Sequence, residues 1–197
     1  MYTKSKATIN TILEAARTQF IEKNYADVTI LDIATRADAS KGALYHHFSS
    51  KEDLYLKMMH HYLTEIQSVI EVVAENNTGA YRDRLYQSVL VFLKLPHELH
   101  SILSLVRRDI NIFRDPMRNE LIRAYQSAIP EQVEAILRDG LVSGEIQPFD
   151  ARLLSWQLVA LVEVALQPYS RRVMGEPEAV AESVIHLFLD GSATHRA

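Results

Sequence analysis

The chain has 197 residues, and 48% of them are hydrophobic, which is enough to bury a substantial core in one domain or in two small ones. It contains no cysteine, so disulfides, thiolate metal sites and cysteine redox sensing are excluded. The polar, basic first residues precede no apolar signal segment, and no apolar run approaches the roughly 20 residues that a membrane span needs. We therefore expect a cytoplasmic protein that has no membrane partner.

Charge is distributed unevenly along the chain, whose net charge is −4. Residues 1–51 hold seven Lys and Arg against five Asp and Glu, whereas residues 52–197 hold fourteen against twenty. The N-terminal quarter is thus the more basic part of the chain. This distribution permits contact between that quarter and an anionic partner such as nucleic acid.

Two helices are predicted at the start of the chain. Apolar residues recur at helical spacing over about 6–24, with charged and polar residues between them. A second helix is expected to begin at about Ile30, because Thr29 and Asp32 form a T-x-x-D capping signal. The first of these helices would serve as a scaffold for the second.

A short third helix over 41–47 is predicted after a tight turn at Asp38 and Ala39, with Ser40 as its cap. Its Leu44 points into a core, and its opposite face is left for solvent or for DNA. Two short helices joined by a tight turn are the outline of a DNA-reading unit.

The exposed face of this third helix has side chains that suit a DNA groove. A lysine offers a cation, a glycine allows close approach of the backbone, and tyrosine and histidine combine flat surfaces with polar tips. The face consists of Lys41, Gly42, Ala43, Tyr45 and His46. Ser50 caps a fourth helix, and Lys51 lies beside its N-terminus, where a phosphate can bind. The alternative is that all of these are ordinary surface residues of a helical hairpin.

Three segments in this region carry a resemblance to a known family. They are Val28-Thr-Ile-Leu-Asp-Ile-Ala, Ser40-Lys-Gly-Ala-Leu-Tyr-His-His-Phe and Lys51-Glu-Asp-Leu, and their order and spacing resemble the helix-turn-helix signature of the TetR family of bacterial transcriptional regulators. The resemblance covers roughly the first quarter of the chain. It implies DNA contacts at Thr29, Lys41, Gly42, Ala43, Tyr45, His46 and Lys51.

One position departs from the pattern of that family. Many relatives have Gly-Val in the turn, where this chain has Asp38-Ala39. Asp tolerates a left-handed backbone better than most residues other than glycine, and Ala39 fills less core than Val. We therefore expect the turn to form at some cost in stability.

The rest of the chain is predicted to be helical, with no alternating strand pattern. Helices are expected at about 51–75, 80–95, 97–113, 116–139, 150–169 and 177–190, and Pro130 should kink or split the one that contains it. The fold class is therefore all-α with about nine helices. We place a helix-turn-helix DNA-binding domain at 1–50 and a ligand-binding and dimerisation domain, a helical bundle, at 51–197.

A dimer is predicted from the two C-terminal helices. The helix over 150–169 is apolar around nearly its whole circumference, and the last helix is apolar over more than one stripe, so both need extensive cover. A second copy of the chain could supply it, and the resemblance implies a four-helix interface. The interface residues are predicted to be Leu158, Val162, Val184, Ile185 and Phe188. The alternative is a well-buried pair of core helices.

A largely apolar pocket for a small-molecule effector is predicted inside the C-terminal bundle. Its candidate residues are Arg107, Tyr125, Trp156 and Glu163, of which Arg107 or Glu163 would orient the effector. The alternatives are a solid core in which Trp156 simply packs, and an ion pair between Glu163 and Arg107 or Arg108.

No catalytic residue, metal site or cofactor is predicted. The chain has no G-x-S-x-G, no phosphate-binding glycine loop and no H-E-x-x-H, and His97 and His100 have no third ligand placed beside them. We expect a homodimeric regulator, a repressor that binds an inverted-repeat operator in double-stranded DNA and is released by a small, largely apolar effector. An all-helical enzyme or carrier and a constitutive DNA-binding dimer are the competing hypotheses.

Overall fold

A computed structural model of the chain describes residues 2–76 and 79–192, with side chains described over 8–73, 79–170 and 172–190. The fold is all-α, as predicted, and the described residues form eleven α-helices and one short 3-10 helix at Tyr25–Asp27. The first six α-helices are α1 (Tyr2–Glu22), α2 (Ile30–Arg36), α3 (Lys41–His47), α4 (Lys51–Asn76), α5 (Tyr81–Leu93) and α6 (His97–Asp109). The others are α7 (Met117–Ala128), α8 (Pro130–Val142), α9 (Ala151–Ala165), α10 (Pro168–Met174) and α11 (Pro177–Ser192).

Two proline residues account for the helices that exceed the predicted nine. The predicted helix over 116–139 is divided into α7 and α8, because Pro130 lacks the N–H that a continuing helix needs and starts the new helix instead. The predicted helix over 150–169 ends at Ala165, and Pro168 begins the separate α10. The prediction that this helix runs to residue 169 is wrong.

The helices pack into two compact units. One consists of Met1–Thr64 and His97–Ala124, and the other of Glu65–Pro96 and Tyr125–Ala197. Helix α4 contributes residues to both units. This division follows packing alone, so the functional boundary at residue 50 stays a prediction.

An aromatic cluster forms the core of the first unit. The ring of Phe20 stacks on Tyr25 at 5.6 Å between centroids and meets the edge of Tyr55 at 4.9 Å. Phe113 contacts both tyrosines, at 4.9 and 5.1 Å. Offset and edge-to-face pairs of this kind add to the stabilisation that burial provides. The cluster joins the end of α1, the start of α4 and the segment after α6.

A buried polar network adjoins this cluster. The hydroxyl of Tyr55 donates to the Oδ2 of Asp109 at 3.0 Å, and both residues are fully buried. Arg108 donates to both carboxylate oxygens of Asp109, at 2.7 and 2.8 Å, and to the carbonyl oxygen of Phe20 at 2.9 Å. The network therefore compensates the charge of a carboxylate that burial alone would destabilise. Burial, and then the charge of Asp109, raises the pKa of Tyr55.

The second unit is built around α5, α8, α9 and α11. Helix α8 packs against α5 and α9, and α11 packs against the same two helices. A Cβ added to Gly140 of α8 would lie 2.9 Å from the ring of Tyr81 and 2.7 Å from Ile146, so glycine permits this close approach. Each of the four helices thus buries at least one apolar face within the chain itself.

No single helix in the described ranges is long and apolar enough to cross a membrane. Helices α5 and α6, which follow one another in the chain, reach the length and apolar composition of a membrane span only when the two are taken together.

Candidate nucleic-acid interface and internal cavity

Helix α2 begins with the predicted capping box. The Oγ1 of Thr29 accepts a hydrogen bond from the backbone N–H of Asp32 at 3.1 Å. The Asp32 carboxylate in turn accepts from the Thr29 hydroxyl at 2.7 Å and from its backbone N–H at 2.9 Å. These bonds, from the Thr29 side chain first, hold the pKa of Asp32 below its usual value. Reciprocal bonds of this kind satisfy donors that a helix start otherwise leaves open.

The turn between α2 and α3 forms without glycine. Asp38 has a φ of +48°, in the left-handed region that was predicted for it. The backbone N–H of Ala39 then donates to the carbonyl oxygen of Ala34 at 2.9 Å, which closes the turn on α2. The departure from Gly-Val is thus accommodated by a residue type that tolerates this conformation.

Helix α3 presents the face that the sequence predicted. Ser40 caps it by accepting from the backbone N–H of Ala43 at 3.1 Å, and Leu44 is buried. Lys41, Gly42, Tyr45 and His46 are exposed, and Ala43 is half-buried. The Lys41 ammonium lies 5.8 Å from the centroid of the Tyr45 ring, so the two side chains share one face. DNA contact by these residues and by the exposed Thr29 stays a prediction.

Lys51 makes contacts that sequence analysis missed. Its Nζ donates to the carbonyl oxygens of Tyr25 at 2.9 Å and Val28 at 3.0 Å, and it lies 4.2 Å from the centroid of the Tyr25 ring. Lys51 begins α4 beside the Ser50 cap, as predicted. Its ammonium, however, is directed at the segment that precedes α2. No signal in the sequence gives this contact, since the partners lie 23 and 26 positions away.

A second missed contact joins α1 to α2. The guanidinium of Arg36 donates to both carboxylate oxygens of Glu22, at 2.9 and 3.1 Å. Such a bidentate pair fixes geometry better than a single contact does. It holds the last turn of α2 against the end of the scaffold helix.

A small apolar cavity lies inside the second unit. Its volume is about 30 Å³. Its described lining residues are Ile70, Leu85, Ser88, Val89, Phe92, Ile129, Val133, Leu158, Val159, Val162 and Glu163. In place of the predicted pocket, the structure therefore has a cavity that is large enough for a water molecule. Its volume is far below the several hundred Å³ of an ordinary ligand site.

Of the four predicted pocket residues, only Glu163 lines this cavity. Trp156 is 47% exposed and lies on another face of α9, where the guanidinium of Arg152 is 5.5 Å from its ring centroid. The prediction that Trp156 walls the pocket is wrong, because the inward stripe of α9 is formed by other residues. Arg107 is exposed and Tyr125 is half-buried, and neither lines the cavity. Arg108, a predicted partner of Glu163, binds Asp109 instead.

The outer face of α9 and α11 forms an apolar groove. Its volume is about 660 Å³, and its lining includes Leu153, Ala160, Leu161, Val164, Leu187 and Phe188. Val164 and Leu187 are 63% and 65% exposed. Side chains of this size and character, exposed together, are typical of a surface that a partner covers.

The structure contradicts the prediction for four of the five interface residues. Leu158, Val162, Val184 and Ile185 are buried within the chain itself, and Phe188 is also buried but borders the groove. Both helices are apolar over several stripes, so the sequence did not distinguish the stripe that packs inward from the outer one. The outer stripe is the candidate for contact with a second copy.

In the part of the chain that the structure describes, no group of three or more His, Asp or Glu residues is placed to hold a metal ion. The model of the family described as "Bacterial regulatory proteins, tetR family" matches residues 12–58, which span the capped helices described above.

Three known proteins extend the similarity beyond these residues. The HTH-type transcriptional regulator UidR of Escherichia coli K12 is 30% identical over 161 residues, which cover 75% of this chain and 74% of that protein. The fatty acid metabolism regulator protein of Bacillus subtilis is 25% identical over 187 residues, covering 91% of this chain and 93% of the other. The crystal structure of Bacillus subtilis FadR in complex with stearoyl-CoA matches with a TM-score of 0.76 at 19% identity, over 94% of this chain and 98% of that one.

The fold and the capped α2–α3 unit therefore define a helix-turn-helix transcriptional regulator with DNA-binding character. The chain belongs to the TetR family of bacterial regulatory proteins.

Proposed function

We propose that this regulator is a homodimeric repressor that reads an inverted-repeat operator with α3 and is released by a small, largely apolar effector. The observation that carries the DNA-binding half is the exposed face of α3, on which Lys41 and Tyr45 lie together. A cation and a flat ring on a short, capped helix suit the base edges and sugar walls of a major groove. Thr29 would add a contact to the DNA backbone.

The dimer is supported by the groove on α9 and α11. Its exposed apolar side chains, Leu153, Val164 and Leu187, would be covered by the same surface of a second copy. Such an isologous contact has two-fold symmetry, and a two-fold protein reads two half-sites of opposite orientation. A second copy would also double the number of basic reading units on one DNA duplex.

The effector half of the proposal is supported by the apolar lining of the cavity in the second unit. Helix α4 supplies Ile70 to that lining and begins at Lys51, next to the DNA-reading helices. A ligand that prefers one position of α4 would thereby favour one spacing of the two reading helices. A tenfold release from DNA needs only about 1.4 kcal/mol of differential affinity between the two states.

A constitutive DNA-binding dimer is the second candidate. The observation that favours it is the cavity volume of about 30 Å³, which leaves no room for an ordinary ligand without rearrangement. The relatives are transcriptional regulators, which disfavours an enzyme or a carrier.

The test is selection of bound duplexes from a random DNA pool by the purified 197-residue chain. We expect an inverted repeat whose half-sites lie about one helical turn apart or somewhat more, bound with strong salt dependence. Bound duplexes that share no sequence would overturn the DNA-reading proposal. A compound library is then screened for release of the selected operator, and a protein that no compound releases would be the constitutive dimer.

A further inference from the structure

Leu31 is the most exposed of the large apolar side chains that the structure describes in the first unit. It is 62% exposed, against 51% for Ile112 and 50% for Tyr45. One exposed leucine on a protein surface is ordinary, so exposure alone assigns it no role. Its place is informative, because it is the second residue of α2 and follows the Thr29 cap of the helix-turn-helix.

Helical geometry places Leu31 on a side of α2 that α1 leaves uncovered. Leu31 and Thr35 are four positions apart and both exposed, so they share one side of the helix. Arg36 lies on another side, about 140° from Leu31 around the helix axis. From there its guanidinium binds the carboxylate of Glu22 in α1. The scaffold helix therefore covers the side of Arg36 and not the side of Leu31.

The side of α2 that carries Leu31 has no charge. Helix α2 contains one acidic residue, Asp32, whose carboxylate accepts bonds from the hydroxyl and the backbone N–H of Thr29, at 2.7 and 2.9 Å. These bonds hold the carboxylate over the cap. Leu31 and Thr35 therefore form an exposed surface that can approach DNA without the repulsion that a carboxylate meets from phosphates.

The docking geometry of a helix-turn-helix brings this surface close to DNA. The first helix of such a unit crosses the DNA backbone, while the second lies in the major groove. Helices α2 and α3 take these two roles in the proposed complex, and the turn between them is tight, with the Ala39 N–H donating to the Ala34 carbonyl oxygen at 2.9 Å. Leu31 has neither a charge nor a donor for a phosphate. The apolar group that the major groove offers is the C5 methyl of thymine.

We propose that Leu31 is a specificity-determining residue that contacts the C5 methyl of a thymine in each half-site of the operator. Contact between the two hydrocarbon groups removes both from water, which stabilises the complex. Cytosine lacks this methyl group, so the contact favours thymine over cytosine at one position. The inference rests on the proposed reading of an operator by α3 and adds a base preference that comes from α2.

The experiment uses the purified 197-residue chain and the operator that it selects from the random DNA pool. Each thymine of a half-site is replaced in turn by deoxyuridine, which keeps the pairing and hydrogen-bonding groups and lacks only the methyl. Binding is measured by titration with labelled duplexes. We expect the replacement of one thymine to weaken binding by the unmodified protein about fourfold, the effect of losing one buried methyl group. In Leu31→Ala the same replacement should have almost no further effect, because the partner of the methyl is already absent.

Three variants assign the effect to this side chain. Leu31→Ala should bind the selected operator about fourfold or more weakly, with an unchanged salt slope because no charge is lost. Its thermal stability should not fall, since alanine is a good helix former and the position is exposed. Leu31→Met keeps the hydrocarbon and should retain the response to deoxyuridine. Ile112→Ala, at an exposed apolar position after α6, is the control and should bind like the unmodified protein.

Full operator affinity in Leu31→Ala would overturn the proposal, as would an undiminished effect of every thymine methyl in that variant. Weaker binding by Leu31→Ala with no thymine methyl that matters would place the side chain on a deoxyribose, and base reading by Leu31 would be wrong. In each of these cases the protein still selects an operator, so the proposed function stands. If the selected duplexes share no sequence, the proposed function fails and this inference fails with it.

Discussion

The ammonium group of Lys51 donates a hydrogen bond to the carbonyl oxygen of Val28 at 3.0 Å. This bond, with its companion to Tyr25, ties the first residue of α4 to the segment that leads into the Thr29 cap of α2. Lys51 therefore positions the helix-turn-helix from within the protein. A phosphate would have to compete with two carbonyl oxygens for the same ammonium group.

A Lys51→Ala variant should lose stability and bind every DNA sequence more weakly. We expect the free energy of unfolding to fall by about 1–3 kcal/mol, because charge-assisted hydrogen bonds are lost. The slope of log K against log salt concentration should stay unchanged, as measured by operator titrations at several salt concentrations. A slope reduced by about 1 would instead place the ammonium on a phosphate, as the sequence alone suggested. Lys94→Ala, which removes an exposed pair with Glu178 in the second unit, is the control.

The exposed face of α3 should carry sequence recognition. Tyr45→Ala and Lys41→Ala are each expected to weaken operator binding by about 1–3 kcal/mol without a change in helical content. Since the two side chains lie close together, the double variant should lose less than the sum of the single losses. Binding is measured by titration of the selected operator. Full affinity in a folded double variant would remove both residues from the interface.

The outer groove should hold the dimer together. Leu187→Glu is expected to give folded monomers at micromolar concentration, because it would place a carboxylate in a seam that is lined mostly by apolar side chains. His186→Glu adds the same charge at the neighbouring exposed position outside the groove lining and should remain dimeric. Sedimentation or light scattering gives the mass of each variant. A monodisperse monomer of the unmodified chain would count against the dimer altogether.

The hydroxyl of Tyr55 should be important for stability because it donates a hydrogen bond to the buried carboxylate of Asp109. Tyr55→Phe keeps the aromatic packing but removes one donor to Asp109. We expect the free energy of unfolding to decrease by about 1–3 kcal/mol in denaturant titrations. Tyr169→Phe, at an exposed position, should change it by less than about 0.5 kcal/mol. Equal stability of the two variants would contradict the importance of the network.

The capping box at α2 should make part of the stability pH-dependent. The pKa of Asp32 is lowered in the folded chain, so its contribution is fully present above the ordinary value of about 3.8 and is lost as pH falls through the folded value. We expect the stability difference between the unmodified chain and Asp32→Asn to shrink below pH 4, in thermal or denaturant unfolding. A difference that is constant from pH 7 to pH 3 would contradict this role for the carboxylate.

The sequence by itself determined the local features of this protein. Thr29 and Ser40 are caps in the structure as predicted, because each accepts a hydrogen bond from a backbone N–H three positions later. The left-handed turn residue, the break at Pro130 and the inward Leu44 depend in the same way on near neighbours. Such interactions join residues that are three or four positions apart, so the order of the residues is enough to predict them.

Only the tertiary structure decided which apolar stripe faces inward and where long side chains find their partners. Helices α9 and α11 are apolar on several sides, and burial favours any of these sides equally, so the sequence could not separate Ile185 in the core from Leu187 on the groove. The same limit applies to Trp156, which is large and apolar but lies outside the cavity. Lys51 reaches carbonyl groups more than 20 positions away because packing brings the start of α4 beside the entry to α2.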